Sequence, residues 1–355
     1  MTFQVTAALA AASMIALAGC SSLQTSRPDG VGSLAVAEVG SFHTGGRTVS
    51  LEGLPIKQVR FTPTSPLTRL DPNGEFAVEQ MYTQYVKLAP QARRAPYPLL
   101  MWHGGGLSGV TWETKPDGQP GWQMFFLKAG HDVYVSDAVE RGRASWARYP
   151  EVFNSEPVFR TKKEAWELFR IGPPDSYQDA AHQRAYADTQ FPVAAFDQFM
   201  KQGVPRWLTN DDATARAYDA LVQRICPCVI MVHSQGSTFA YTMANRYPDK
   251  VKAVIGIEPS GAVDPATVDL SPLAKVPLLF VWGDKISQTA RWQSIQAPLK
   301  KMIAAVRDKG GRADEIDLPG KGIIGNTHMM MMDHNSDQVA ALIQDWLVAQ
   351  GLAAR

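Results

Sequence analysis

Ser234 lies in the run Cys228-Val229-Ile230-Met231-Val232-His233-Ser234-Gln235-Gly236, where an apolar, strand-like stretch turns at a serine straight into a helical pattern. A sharp strand-to-helix turn lifts such a hydroxyl clear of the surrounding chain. It also aims the backbone N–H of the next residue, Gln235, at the oxygen of an attacked carbonyl. The turn is crowded, so small neighbours are needed. Gly236 meets this on one side, whereas Val232 stands where G-x-S-x-G has its other small residue. A serine in this position could also do no more than cap the helix, so its reading depends on the groups that accompany it.

A serine hydroxyl is a poor nucleophile at neutral pH unless a base takes its proton. His328, in Gly325-Asn326-Thr327-His328, falls in a loop between the last strand-like segment and the final helix and could be that base. His334, in Asp333-His334-Asn335, reads instead as an exposed residue at a helix start. Two carboxylates could orient the imidazole and stabilise its cation. Glu258 ends the strand Val254-Ile255-Gly256-Ile257, and Asp284 follows Leu279-Phe280-Val281-Trp282-Gly283, the more usual place for such an acid. Both stay open on this reading. His103-Gly104-Gly105-Gly106 completes the set, because it resembles the HGGG-type loop of lipases and esterases, in which a backbone N–H gives a second donor to the developing oxyanion.

The same glycines admit a rival reading. Gly104, Gly106 and Gly109 fit GxGxxG, with Asp137 as a ribose-binding acid. Polar Thr111-Trp112-Glu113 then stands where a packed helix should begin, and the acid comes about 28 residues on where about 20 is usual. That dinucleotide-binding alternative leaves the serine turn without a purpose. A second alternative is a surface-anchored binding protein on the same scaffold without activity.

Positioning these groups requires a scaffold. The 355 residues are 45% hydrophobic and 19% charged, enough apolar surface for a large core. The net charge of +1, without long runs of one sign, argues against nucleic acid as a partner. From about residue 41, near-continuous apolar runs at 98–102, 229–232, 251–257 and 276–282 alternate with helical patterns at 122–129, 213–225, 237–246, 291–309 and 337–352. This predicts an α/β fold with a mostly parallel, doubly wound sheet and reactive groups at the carboxyl ends of its strands. Residues 141–210 break the alternation and read as a helical cap insertion over the site, rich in aromatics and prolines. Such a cover suggests an uncharged or aromatic-bearing ester of modest size. No CxxC pair or HExxH offers a metal site, the Met329–Met332 run reads as packing, and the chemistry needs no cofactor.

The N-terminus reads as an export signal. Val5 to Ala18 is almost wholly small or apolar but too short to span a bilayer, and Leu17-Ala18-Gly19-Cys20 follows. That sequence resembles a bacterial lipoprotein processing site, with residues 1–20 as the signal peptide, Cys20 as the lipidated residue and 21–40 as a tether ahead of a hydrolase domain over 41–355. The expectation is an exported protein, periplasmic or anchored to the outer membrane through Cys20, and otherwise secreted. Cys226 and Cys228 could pair in an oxidising compartment, or could be small residues at the start of a buried strand. On a regular strand such positions are roughly 7 Å apart, at the limit for a bridge.

Together the motifs resemble the bacterial esterase 713-like carboxylesterases of the α/β-hydrolase superfamily over roughly residues 40–350. The resemblance rests on His103-Gly104 with Gly109, Thr111-Trp112-Glu113-Thr114, Pro116-Asp117-Gly118, Gly121-Trp122, Arg141-Gly142-Arg143-Ala144-Ser145, Asp188-Thr189-Gln190-Phe191-Pro192-Val193, His233-Ser234-Gln235, Glu258-Pro259 and Gly325-Asn326-Thr327-His328-Met329-Met330-Met331. It implies a serine hydrolase that cleaves small-molecule carboxylic esters through an acyl-enzyme, with a triad of Ser234, Glu258 and His328 and the acid after the sixth core strand. It also implies an oxyanion hole from the N–H groups of Gly105 and Gln235. Some relatives have two adjacent cysteines where this chain has Gly105-Gly106.

Overall fold

The apolar runs become the inner strands of one sheet. In a computed structural model that describes residues 33–146 and 148–354, the sheet contains β1 (Val36–Leu51), β2 (Gly74–Leu88), β3 (Leu99–Trp102), β4 (Val133–Asp137), β5 (Cys228–His233), β6 (Val251–Ile257), β7 (Leu278–Trp282) and β8 (Ala313–Asp317). Their order is β1-β2-β4-β3-β5-β6-β7-β8. β1 and β2 pair antiparallel, β2 runs antiparallel to β4, and every later pairing is parallel. A two-stranded ribbon of Lys57–Val59 and Thr68–Leu70 stands apart from this sheet.

The central strands β3, β5, β6 and β7 are almost wholly apolar because both their faces are covered. Along β3, Leu99 and Met101 pack into a core shared with α2 (Trp122–Lys128) and α8 (Ser336–Ala349). Leu100 and Trp102 point the opposite way, into a core with α5 (Asp211–Ile225), α6 (Ser237–Arg246) and α7 (Ala290–Asp308). The four methionines 329–332 are fully buried in the first of these cores.

The strands that escape the sequence pattern are the outer ones. β1 begins at Val36, inside the span read as a tether, and most of its side chains are exposed, so no alternation marks it. The leader and Cys20 lie outside the described residues. β8 (Ala-Asp-Glu-Ile-Asp) has only Ala313 and Ile316 facing the core and forms the far edge.

Among the described residues of 141–210 there are two short α-helices, α3 (Lys162–Leu168) and α4 (Phe196–Met200), within mostly irregular chain. The Thr161 hydroxyl caps α3 by accepting from the Glu164 N–H at 3.1 Å. The rest is held by isolated bridges, Val158 with Arg206 and Tyr177 with Gln183, and by edge-to-face contacts among Trp166, Phe191, Phe196 and Phe199.

Cys226 and Cys228 are disulfide-bonded with Cα atoms 4.4 Å apart. The strand spacing does not apply, because Cys226 caps α5 and only Cys228 belongs to β5. A bridge that closes so short a loop restricts the unfolded chain little. Replacing both cysteines with alanine should therefore cost at most about 1.5 kcal/mol. Urea unfolding checks this, and a loss above about 3 kcal/mol would contradict it.

Candidate active site

Ser234 follows β5 at φ +52° and leads through a single 3-10 turn into α6. A non-glycine residue with this backbone is held there by its surroundings. A side-chain carbon at Gly104 would come within 2.8 Å of His233 Nδ1 and 2.9 Å of Ser234 Cβ, and one at Gly236 within 2.6 Å of the His103 carbonyl oxygen. The β3 loop and the serine turn thus touch through their glycines. Val232 is accommodated because its methyl fills space that the bare Gly236 leaves open.

Glu258 follows β6 at φ +38° and is fully buried. Its Oε2 lies 2.8 Å from His328 Nδ1. Oε1 accepts from Gly283 N at 2.8 Å and from Arg170 Nη2, a guanidinium as deeply buried as its partner. With a carboxylate as acceptor, the imidazole proton sits on Nδ1 and Nε2 keeps its lone pair. Burial pushes the Glu258 carboxyl up, and Arg170 and the Gly283 N–H oppose it.

The His328 ring packs 4.4 Å from His233, 4.5 Å from Trp292 and 5.3 Å from Phe169, centre to centre. Burial, then Arg170 and Arg160, hold its pKa well below the ordinary histidine value, so the ring is neutral at neutral pH. His233 Nε2 donates to the His328 carbonyl at 3.0 Å and thereby ties the serine turn to the loop that carries His328. Among the described residues the Ser234 hydroxyl has Ser260 Oγ as its hydrogen-bond partner, at 3.3 Å, and not His328.

Asp284, the other candidate acid, is engaged elsewhere. It accepts from Gly325 N at 2.8 Å and Lys285 N at 2.6 Å, and so anchors the start of the His328 loop. Asp333 braces the same loop by accepting from Thr327 N, Thr327 Oγ1 and Asn326 Nδ2, although burial pushes its carboxyl up to about 7. His334 is largely exposed and lies 3.7 Å from Asp117. Asp137 accepts from Gly109 N and from Arg143 N and Nε, and only the four-residue α1 (Val110–Glu113) follows the glycines, which removes the support for a ribose site. Sequence reasoning missed Arg170, which comes from the irregular segment and has no motif around it. It also gave no role to His233, whose place beside Ser234 was the available signal.

Gly105, Ser234, Gln235, Ser260 and His328 line one cavity of about 260 Å³. A mostly apolar cavity of about 130 Å³ adjoins it through Leu107, Arg160 and Phe169.

The strand order and the serine turn define an α/β-hydrolase. A bacterial esterase solved at atomic resolution is 33% identical, with a TM-score of 0.76 over 90% of this chain and 98% of its own. A probable secreted lipase, phiG, of Fungal sp. (strain ATCC 74256) is 25% identical over 76% of this chain and 86% of its own. No family model matches the chain. This chain belongs to the family of that bacterial esterase, within the α/β-hydrolases.

Proposed function

We propose that this ester hydrolase works through an acyl-enzyme formed on Ser234, with His328 as general base and Glu258 as the acid that orients it. The observation that carries the reading is the 2.8 Å contact of His328 with Glu258 at the wall of the cavity that holds Ser234. Rotation about χ1 moves the serine hydroxyl from Ser260 to His328 Nε2, which takes its proton as Oγ attacks the ester carbonyl. The oxyanion is received by the N–H groups of Gly105 and Gln235, each worth on the order of 3 kcal/mol in the barrier. His328 then returns the proton to the departing alcohol. Water, activated by the same imidazole, adds to the acyl-serine and releases the acid and the free hydroxyl.

Residues 141–210 cover this site as a cap. The chain is exported, a reading supported by its leader sequence and by the description of the fungal relative as secreted, and Cys20 is its lipid anchor. None of the described helices is long and apolar enough to cross a membrane.

Labelling with a fluorophosphonate followed by peptide mass spectrometry tests the nucleophile. The adduct should fall on Ser234, and an adduct elsewhere or none at all refutes the assignment. The pH profile tests the base. His328 must be neutral to accept a proton and its pKa is depressed, so kcat/KM should stay level as the pH falls through 6.5 and decline only at greater acidity. An acid limb centred at or above 6.5 would contradict the burial argument.

A further inference from the structure

Among the described residues, the cavity at Ser234 is lined by three guanidinium groups, Arg160, Arg206 and Arg291, and by no carboxylate. Arg160 Nη1 lies 2.8 Å from Glu164 Oε1, and Arg291 Nη2 lies 3.7 Å from the same oxygen. Arg206 has no carboxylate within ion-pair distance among the described residues. Glu258 and Arg170 neutralise each other, so at the cavity wall three guanidiniums share the single ion-paired carboxylate of Glu164, with Asp211 attracting Arg206 from outside that wall. The Nε atoms of Arg160 and Arg206 are buried without a hydrogen-bond partner. Guanidinium cannot shed its proton to escape this, so each group keeps one buried N–H without an acceptor.

Their position says where an acceptor would sit. Arg206 Nη1 lies 3.2 Å from the point that a Gly105 side-chain carbon would occupy, beside the oxyanion loop. Arg160 stands between this cavity and the adjoining apolar one, so a short hydrocarbon segment beside an anionic group fits the pair of spaces. We propose that the substrate is an ester bearing a carboxylate near the scissile bond, gripped by Arg206 with help from Arg160 and Arg291. A planar carboxylate matches the guanidinium fork, and charge-assisted hydrogen bonds of this kind are the strong ones. The proposal rests on Ser234 being the nucleophile. It replaces the uncharged ester that the aromatic cap alone suggests.

The test compares kcat/KM within two pairs of esters of similar shape: 4-nitrophenyl hydrogen glutarate against 4-nitrophenyl hexanoate, and 4-acetoxybenzoate against 4-acetoxybenzamide. The first pair places the charge on the acyl side and the second on the alcohol side. The protein should prefer the anionic member of at least one pair by about tenfold or more, and Arg206→Leu should reduce that ratio by about 10- to 100-fold. Arg291→Gln, at a largely exposed side chain, should reduce it about threefold to tenfold and serves if the Arg206 variant does not fold. Absence of any anionic preference overturns the proposal. Equal losses on both members of a pair in Arg206→Leu also overturn it, since they would mark Arg206 as a partner of the oxyanion. Fluorophosphonate labelling of Ser234 in each protein separates these failures from failure of the nucleophile assignment.

Discussion

Ser234→Ala should reduce kcat by about ten-thousand- to million-fold, with stability changed by less than about 1 kcal/mol. The substitution removes the hydroxyl and its 3.3 Å contact with Ser260, but alanine meets the same backbone restriction at φ +52° that serine does. Activity and stability are therefore separable at this position. The residual rate should exceed that of the uncatalysed reaction, because the N–H groups of Gly105 and Gln235 would still stabilise an oxyanion formed by water attack. A variant keeping more than about 1% of the kcat would exclude Ser234 as the nucleophile. Initial-rate kinetics with a 4-nitrophenyl ester, paired with a urea melt, give both numbers.

Arg170→Leu should be damaging for a different reason. Both members of the Arg170–Glu258 pair are buried, with side-chain exposures of 1% and 0%, so deleting the cation strands a carboxylate that water cannot reach. Breaking such a pair costs about 3–5 kcal/mol. Burial already pushes the Glu258 carboxyl up, and without Arg170 it should rise further and hold a proton at neutral pH. A protonated Glu258 no longer stabilises the His328 cation, so kcat should fall with stability. The sign of the pH dependence follows. The folded variant binds a proton that the unfolded chain, with a carboxyl near its ordinary value of about 4.3, releases, so its stability should decline as the pH rises from about 4 towards the raised value. The deficit relative to the parent protein should be smallest in acid. Adding Glu258→Gln should recover part of the stability without restoring turnover. A cost below about 1 kcal/mol for Arg170→Leu would show that the pair is not the buried one described.

What could be read from the residues and what could not divide along physical lines. β5, β6 and β7 are covered on both faces, so their apolar runs announce them, and Ser234 and the glycines after β3 stand out because sharp turns tolerate few residue types. Glu258 and Asp284 could not be separated by residue type, since each ends a neighbouring strand. The difference lies in orientation. Glu258 turns towards His328 into space left by the bare Gly283, whereas Asp284 turns to the backbone of Gly325. β1 carries no alternation because it is exposed, and Arg170 and Arg206 belong to a stretch shaped by aromatic contacts that leave no period in the sequence. The charge of the cavity at Ser234 was hidden for the same reason. Its arginines come from residues 160, 206 and 291, which no local pattern connects.

The bond from His233 to the main chain at His328 joins positions 95 residues apart in the sequence. The Ser234 hydroxyl and the His328 imidazole are mounted on a common frame, so breathing motions that admit bulkier molecules cannot originate there without disturbing their alignment. Plasticity has to come from the opposite wall, built by the irregular stretch with its short helices. Laboratory evolution towards new esters should therefore accumulate its changes between residues 141 and 210 and leave the serine turn and the His328 loop untouched.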